Sequence, residues 1–289
     1  MTGRIRNLRD QRFTEDWKKY MNYLKSNCNQ QITLVIGQGS VAQVVIGKNS
    51  FGDFLSINLG FGFGVMLGIH VAGGISGAHM NAAITFANCV VGNLPWYKLP
   101  VYVIGQFVGS FLASATTFSL YYEALMDYTG GTLSVGGPTG TANIFATYPS
   151  PYMSTLGGFI NEFITTAVLL IGILAINDLK NAGALPGTHA LSVGLLVAVI
   201  GMSLGMNTGY AINPSRDLPP RIFTAVAGWG LEVFNASNNW WWVPVVAPML
   251  GSLLGIFIYN IFIDFHNRPR LDGSRKPDCE GDESGEQRL

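Results

Sequence analysis

Two asparagines, Asn81 and Asn213, open near-copies of one short motif about half the chain apart. The first copy reads Gly77-Ala78-His79-Met80-Asn81-Ala82-Ala83 and the second Gly209-Tyr210-Ala211-Ile212-Asn213-Pro214-Ser215. Asparagine caps helix N-termini through its side-chain oxygen, and proline is favoured at the first helical position. A lone Asn-Pro is an ordinary helix start. Two copies, each in a glycine-bearing gap between apolar stretches, point instead to two helix starts that face one another. Their chemistry is non-covalent: amide donors and the partial positive charge of each helix N-terminus. Such a centre suits neutral solutes that accept hydrogen bonds and opposes cations, including protons moving along a water wire. Arg216 follows Asn213 by three residues and Asp217 comes next. An arginine at membrane depth is costly and marks a functional site; the competing reading is a snorkelling arginine at the interface. Lys98 and Arg221 fall near expected helix ends and read as anchors.

The remaining reactive side chains do not assemble a catalytic set. Glu162, in Asn161-Glu162-Phe163, lies inside an apolar stretch and needs donors there. His70 and His79 flank the first motif and read as hydrogen-bonded structural histidines rather than pH gates. Cys28, Cys89 and Cys279 have no metal-type spacing and read as free thiols. No metal, cofactor or enzymatic activity is expected, since acid–base or nucleophile groups do not converge. Asn235-Ala236-Ser237 is an N-glycosylation sequon.

The elements that position these residues follow from hydropathy. Of the 289 residues 48% are hydrophobic and 12% charged, against about 25% charged in a soluble domain. Of 17 basic residues, seven precede Asn27 and five follow His266; the long middle holds only Lys48, Lys98, Lys180, Arg216 and Arg221. Such a surface suits lipid rather than water, and zero net charge points away from a nucleic-acid partner. Spanning candidates are residues 32–46, 54–71, 99–122, 157–176, 189–205 and 243–265; the segments 81–91 and 213–226 are too short to cross. The expected fold is therefore an all-α membrane protein with six transmembrane helices and two re-entrant half-helices. With three spans per half, the second copy enters from the opposite face, an inverted repeat (about 32–122 and 157–265). Lys98, Lys180 and both charged ends fall on one side, which the positive-inside rule makes cytoplasmic. Residues 32–265 form the channel domain, 1–31 a charged and polar cytoplasmic N-terminus with a degraded start of the first helix, and 266–289 a disordered cytoplasmic tail. Glycines inside the apolar runs read as helix-packing sites, and Trp240-Trp241-Trp242 as an interfacial belt.

These residues, over roughly 37–265, resemble the aquaporins, and the Asp after Arg216 resembles the aquaglyceroporin branch. The resemblance implies an hourglass fold and a plasma-membrane homotetramer with one pore per subunit. Its solutes would be glycerol, water and related neutral molecules, urea among the candidates. It also assigns Phe61, Gly209, Tyr210 and Arg216 to the narrowest outer ring. Phe61 and Tyr210 would meet the carbon edge of glycerol, Arg216 its hydroxyls, and Gly209 would widen the ring by lacking a side chain. Glu162 would brace the re-entrant loops. Asn81-Ala82-Ala83 and Asn213-Pro214-Ser215 would be the half-helix caps, and Asp217 a support.

The first span departs from the family. Its bracing glutamate would fall near Ser26, where the chain reads Lys25-Ser26-Asn27-Cys28-Asn29-Gln30-Gln31. Two readings follow: the helix starts with polar residues packed against protein, or an altered junction precedes it. The second leaves an alternative function, a poorly conducting paralogue or splice form that acts as a membrane interaction protein.

Overall fold

Local signals set the helix boundaries in the computed structural model, which describes residues 29–267. The charged leader with Ser26 and Cys28, and the tail from 268 with Cys279, lie outside the described residues. Helix α1 occupies residues 29–46. Its polar opening is packed inside: Asn29 and Gln30 are fully buried, and Thr33 Oγ1 donates to Gly64 O at 3.0 Å.

Asp53 begins α2 (Phe54–Ser76) with a capping box: its carboxylate accepts from the Leu55 and Ser56 amides, and Ser56 Oγ accepts from its backbone amide. Left-handed Gly77 ends that helix. The first half-helix is α3 (Ala82–Val90). Pro100 near its start preorganises α4 (Leu99–Thr129), which runs beyond the expected end at 122. Ser154 caps α5 (Thr155–Asn177); α6 (His189–Leu204) follows. The second half-helix is α7 (Pro214–Thr224). A broken α8 (Glu232–Asn239) leads to α9 (Val243–Tyr259).

Among the described residues no strand occurs. Four helical segments there are long and apolar enough to cross a membrane: Phe54–Gly74, Trp96–Thr129, Thr155–Asn177 and Glu232–Asn267. α6 is a shorter apolar helix.

The helices meet where side chains vanish. α2 packs on α6 and α5 on α9. A Cβ on Gly62 would come within 2.6 Å of Gly194 O, and one on Gly194 within 2.7 Å of Gly62 O. Gly255 lies against Ala167 O in the same way. Lipid supplies no hydrophobic drive between helices, so this close backbone contact supplies dispersion instead. Leu67, Leu120, Ile160, Leu195 and Phe257 stay exposed on the outside, as a lipid-facing surface requires. Each half-helix packs on the last helix of the opposite half, α3 on α9 and α7 on α4. That exchange brings the two helix starts together.

One local expectation changes. Trp240 is fully buried and its Nε1 donates to Thr147 Oγ1 at 3.4 Å; of the three tryptophans only Trp241 is exposed. Within the connection between α4 and α5, Ala142, Ile144, Phe145, Ala146 and Thr147 are all buried in the core.

Candidate functional site

Asn81 and Asn213 do two jobs each. Asn81 Oδ1 accepts from the Ala83 amide at 2.8 Å, and Asn213 Oδ1 accepts from Ser215 at 2.9 Å. Their Nδ2 groups reach across. Asn81 donates to Ile212 O and Asn213 to Met80 O, both at 2.7 Å. Each asparagine thus binds the carbonyl that directly precedes the other. An amide carries two N–H bonds, so each retains one beyond the exchange. Both residues line a cavity of about 570 Å³ together with Phe61, Tyr210, Arg216 and Gln30.

The backbone leading into the second motif is strained. Tyr210 and Ile212 take φ of 39° and 44°, a left-handed conformation costly for a β-branched residue. Glu162 holds it there. Its Oε1 accepts from Thr208 Oγ1 at 2.7 Å and from the Ala211 amide at 2.9 Å, and its Oε2 from the Ile212 amide at 2.8 Å. The fully buried carboxyl thereby finds the donors its position demands.

Gln106 of α4 joins the two motifs. It donates to His79 O at 3.0 Å and to Thr85 Oγ1 at 2.9 Å, while its Oε1 accepts from Ser215 Oγ at 2.7 Å. His79 Nδ1 pairs with Thr85 Oγ1 at 3.2 Å, and its ring packs on Tyr102, the structural role expected of it. Gln106 was visible in the sequence only as a polar residue within an apolar run.

Around Arg216 the geometry is tight. Its Nη1 donates to Phe145 O at 3.1 Å, and its guanidinium stands 5.0 Å over the Phe61 ring, within cation–π range. Phe61 and Tyr210 meet edge to face with centroids 6.1 Å apart. The structure thus brings three of the four expected ring residues together on the cavity.

Gly209 is placed differently. A Cβ there would approach Thr147 at 3.3 Å. Its φ of 78° explains the glycine by backbone conformation. A second glycine, Gly201 of α6, makes room for Tyr210: a Cβ there would overlap Asn58 Oδ1 and come within 2.6 Å of Tyr210 Cζ. Tyr210 fills that space.

Asp217 and Arg221 form a buried clamp, so Arg221 is not the interfacial anchor expected of it. The pair are 2.9 Å apart and neither side chain is exposed. Asp217 Oδ2 accepts from the Thr147 amide at 2.7 Å and from Thr147 Oγ1. Arg221 donates to Thr147 O and, at 2.8 Å, to Val233 O. The clamp fixes the inserted segment that presents Phe145 O to Arg216. Tyr148, in the same segment, stacks 4.5 Å from the Arg221 guanidinium; burial pushes its phenol up to about 12. Lys98 and Asn235 are exposed, and among the described residues no group of three metal-ligating side chains occurs.

Comparison with known proteins agrees with this architecture. Residues 15–259 match the family described as Major intrinsic protein. The chain is 58% identical over 237 residues to Aquaporin-7 of Mus musculus, covering 82% of this chain and 78% of that protein. It is 48% identical over 236 residues to Aquaporin-9 of Homo sapiens, covering 82% and 80%. The crystal structure of the aquaglyceroporin from Plasmodium falciparum superposes with a TM-score of 0.76 at 31% identity, over 85% of this chain and 97% of the other. The chain belongs to the major intrinsic protein family, on its aquaglyceroporin branch, and is a multi-pass membrane channel rather than an enzyme.

Proposed function

We propose that the chain conducts glycerol and water passively and excludes ions and protons. The observation that carries this is the reciprocal exchange between Asn81 and Asn213 on the wall of an open cavity. Two capped helix starts leave donors and partial positive charge at one place, and a hydroxyl solute can accept there while a cation is repelled. On this reading Phe61, Tyr210 and Arg216 form the narrow ring. Glycerol's carbons pass the two aromatic faces, and its hydroxyls meet the guanidinium. Asn81-Ala82-Ala83 and Asn213-Pro214-Ser215 cap the half-helices, and Glu162 and Asp217 support them.

Further parts of the proposal rest on family and composition. The channel works as a homotetramer in the lipid bilayer of the plasma membrane, and urea joins its solutes. Both termini face the cytoplasm, on the argument from basic residues. The exposure of Asn235 supports glycosylation of its sequon. The alternative, a poorly conducting interaction protein, is not favoured. It drew on the polar first span, whose Asn29 and Gln30 are buried inside the fold.

Stopped-flow light scattering on proteoliposomes, under water and glycerol gradients, tests the proposal. Fast glycerol flux with a low activation energy is expected; flux equal to that of protein-free liposomes would sink it.

A further inference from the structure

One turn of α1 backs the ring without contributing a residue to it, touching Phe61 directly and reaching Arg216 through Phe145 O. Gly37 is a mid-helix residue. A Cβ built on it would overlap the Phe61 ring, and its three nearest atoms all belong to that ring. On its other side the ring faces the Arg216 guanidinium at 5.0 Å and the Tyr210 edge at 6.1 Å. Phe61 is therefore wedged, and Gly37 is its seat. The next residue, Gln38, is fully buried. Its Nε2 donates to Ser114 Oγ at 3.0 Å and to Phe145 O at 3.4 Å. Phe145 O is the acceptor that holds Arg216.

We infer that Gly37 and Gln38 are specificity-determining positioning residues: the first sets how far Phe61 projects into the lumen, the second fixes the carbonyl that aims Arg216. The reasoning is steric. Gly37 sits in ordinary helical backbone, so alanine fits the conformation and is the better helix former. The nearest obstacle is the Phe61 ring. A core cannot absorb an added methyl without displacing a neighbour, and the open space this ring borders is the cavity it lines. Glycerol needs more width than water, so a narrower bore penalises it first. Gln38 acts through a shared acceptor. Without its donor, Phe145 O keeps Arg216 as its partner but loses the tie to α1 and Ser114.

This inference rests on the glycerol-channel reading, and one experiment separates the two. Full-length wild type, Gly37→Ala, Phe61→Ala and Gly37→Ala/Phe61→Ala are reconstituted, with water and glycerol permeabilities normalised to incorporated protein. Absence of glycerol flux in the wild type would overturn the channel reading itself. Given wild-type flux, Gly37→Ala should lower the glycerol-to-water ratio about tenfold, the scale of one methylene in a tight pocket. In the Phe61→Ala background the same change should leave the ratio unaltered. A ratio that stays at the wild-type value in Gly37→Ala, or that drops equally in both backgrounds, overturns the seat. Gln38→Met, of similar volume and without a donor, adds a variant that creates no clash. It should shift the ratio and raise proton leak, with Gln38→Leu, which also lacks the donor, behaving alike. Unchanged ratio and leak in both would remove Gln38 from the proposal.

Discussion

Glu162 Oε2 accepts from the Ile212 amide at 2.8 Å, and Ile212 holds a left-handed backbone that a β-branched residue avoids. A carboxyl in the middle of α5 thus stabilises strain one turn before the second half-helix. The strain has a use, because the Ile212 carbonyl is turned toward Asn81 Nδ2. Glu162→Gln keeps the shape but swaps one acceptor for a donor facing donors. Hydrogen bonds to charged groups contribute about 1.5–3 kcal/mol each, so losing one should lower the melting temperature by several degrees. Thermal unfolding in detergent, followed by fluorescence-detected size exclusion, measures it. An unshifted midpoint would show that the loop holds its conformation without Glu162.

The Asp217–Arg221 clamp makes a different prediction, because both groups are charged and fully buried. Removing one partner leaves the other's charge unpaired, at about 3–5 kcal/mol. Arg221→Met should therefore be severely destabilised, and Asp217→Asn less so, since its amide still accepts from Thr147. Combining them should recover part of the loss, because no lone carboxylate remains. A double variant whose loss equals the sum of the singles would mean the pair is not coupled.

These two networks also show how far the sequence could be read. Asn81, Asn213 and Glu162 were legible because capping and buried-charge rules are local. Arg221 was not, although Asp217 stands four residues away on the same helix. Its burial depends on residues 142–148 folding into the core, and that segment has no periodic pattern to announce it. The surroundings of Gly209 were hidden for a related reason. It neighbours Tyr210 in sequence, whereas the space Tyr210 occupies is set by Gly201 on α6, a proximity only the tertiary fold creates. The polar opening of α1 left two readings, and the burial of Asn29 and Gln30 within the fold fits the one in which polar residues pack against protein. Hydropathy counts residues and does not see which face they occupy.

Gly201 and Gly209 should consequently respond in opposite ways to the same substitution. Gly201→Ala crowds Tyr210 and Asn58, so glycerol flux should fall more than water flux. Gly209→Ala meets only Thr147 at 3.3 Å but forces alanine to a φ of 78°, a strain of about 1–2 kcal/mol. It should lower the melting temperature and leave the glycerol-to-water ratio alone. If Gly209→Ala shifts the ratio and Gly201→Ala does not, the width of the ring resides where sequence adjacency suggested.

Asn213→Asp separates the two jobs of the central asparagine. Aspartate is as good a cap as asparagine, so Ser215 keeps its acceptor and α7 should still form. What disappears is the Nδ2 donor to Met80 O, now replaced by an oxygen facing an oxygen at a 2.7 Å contact. The positive end of the half-helix also gains a negative neighbour, which cancels the field that opposes cations. Glycerol and water flux should both fall about tenfold or more, since one misplaced donor at a constriction costs more than its own bond. Cation leak should rise at the same time. Planar-bilayer conductance alongside stopped-flow measurement reads both. A variant with normal flux and no leak would mean that the cap alone organises the centre, and that the exchange between Asn81 and Asn213 is packing rather than function.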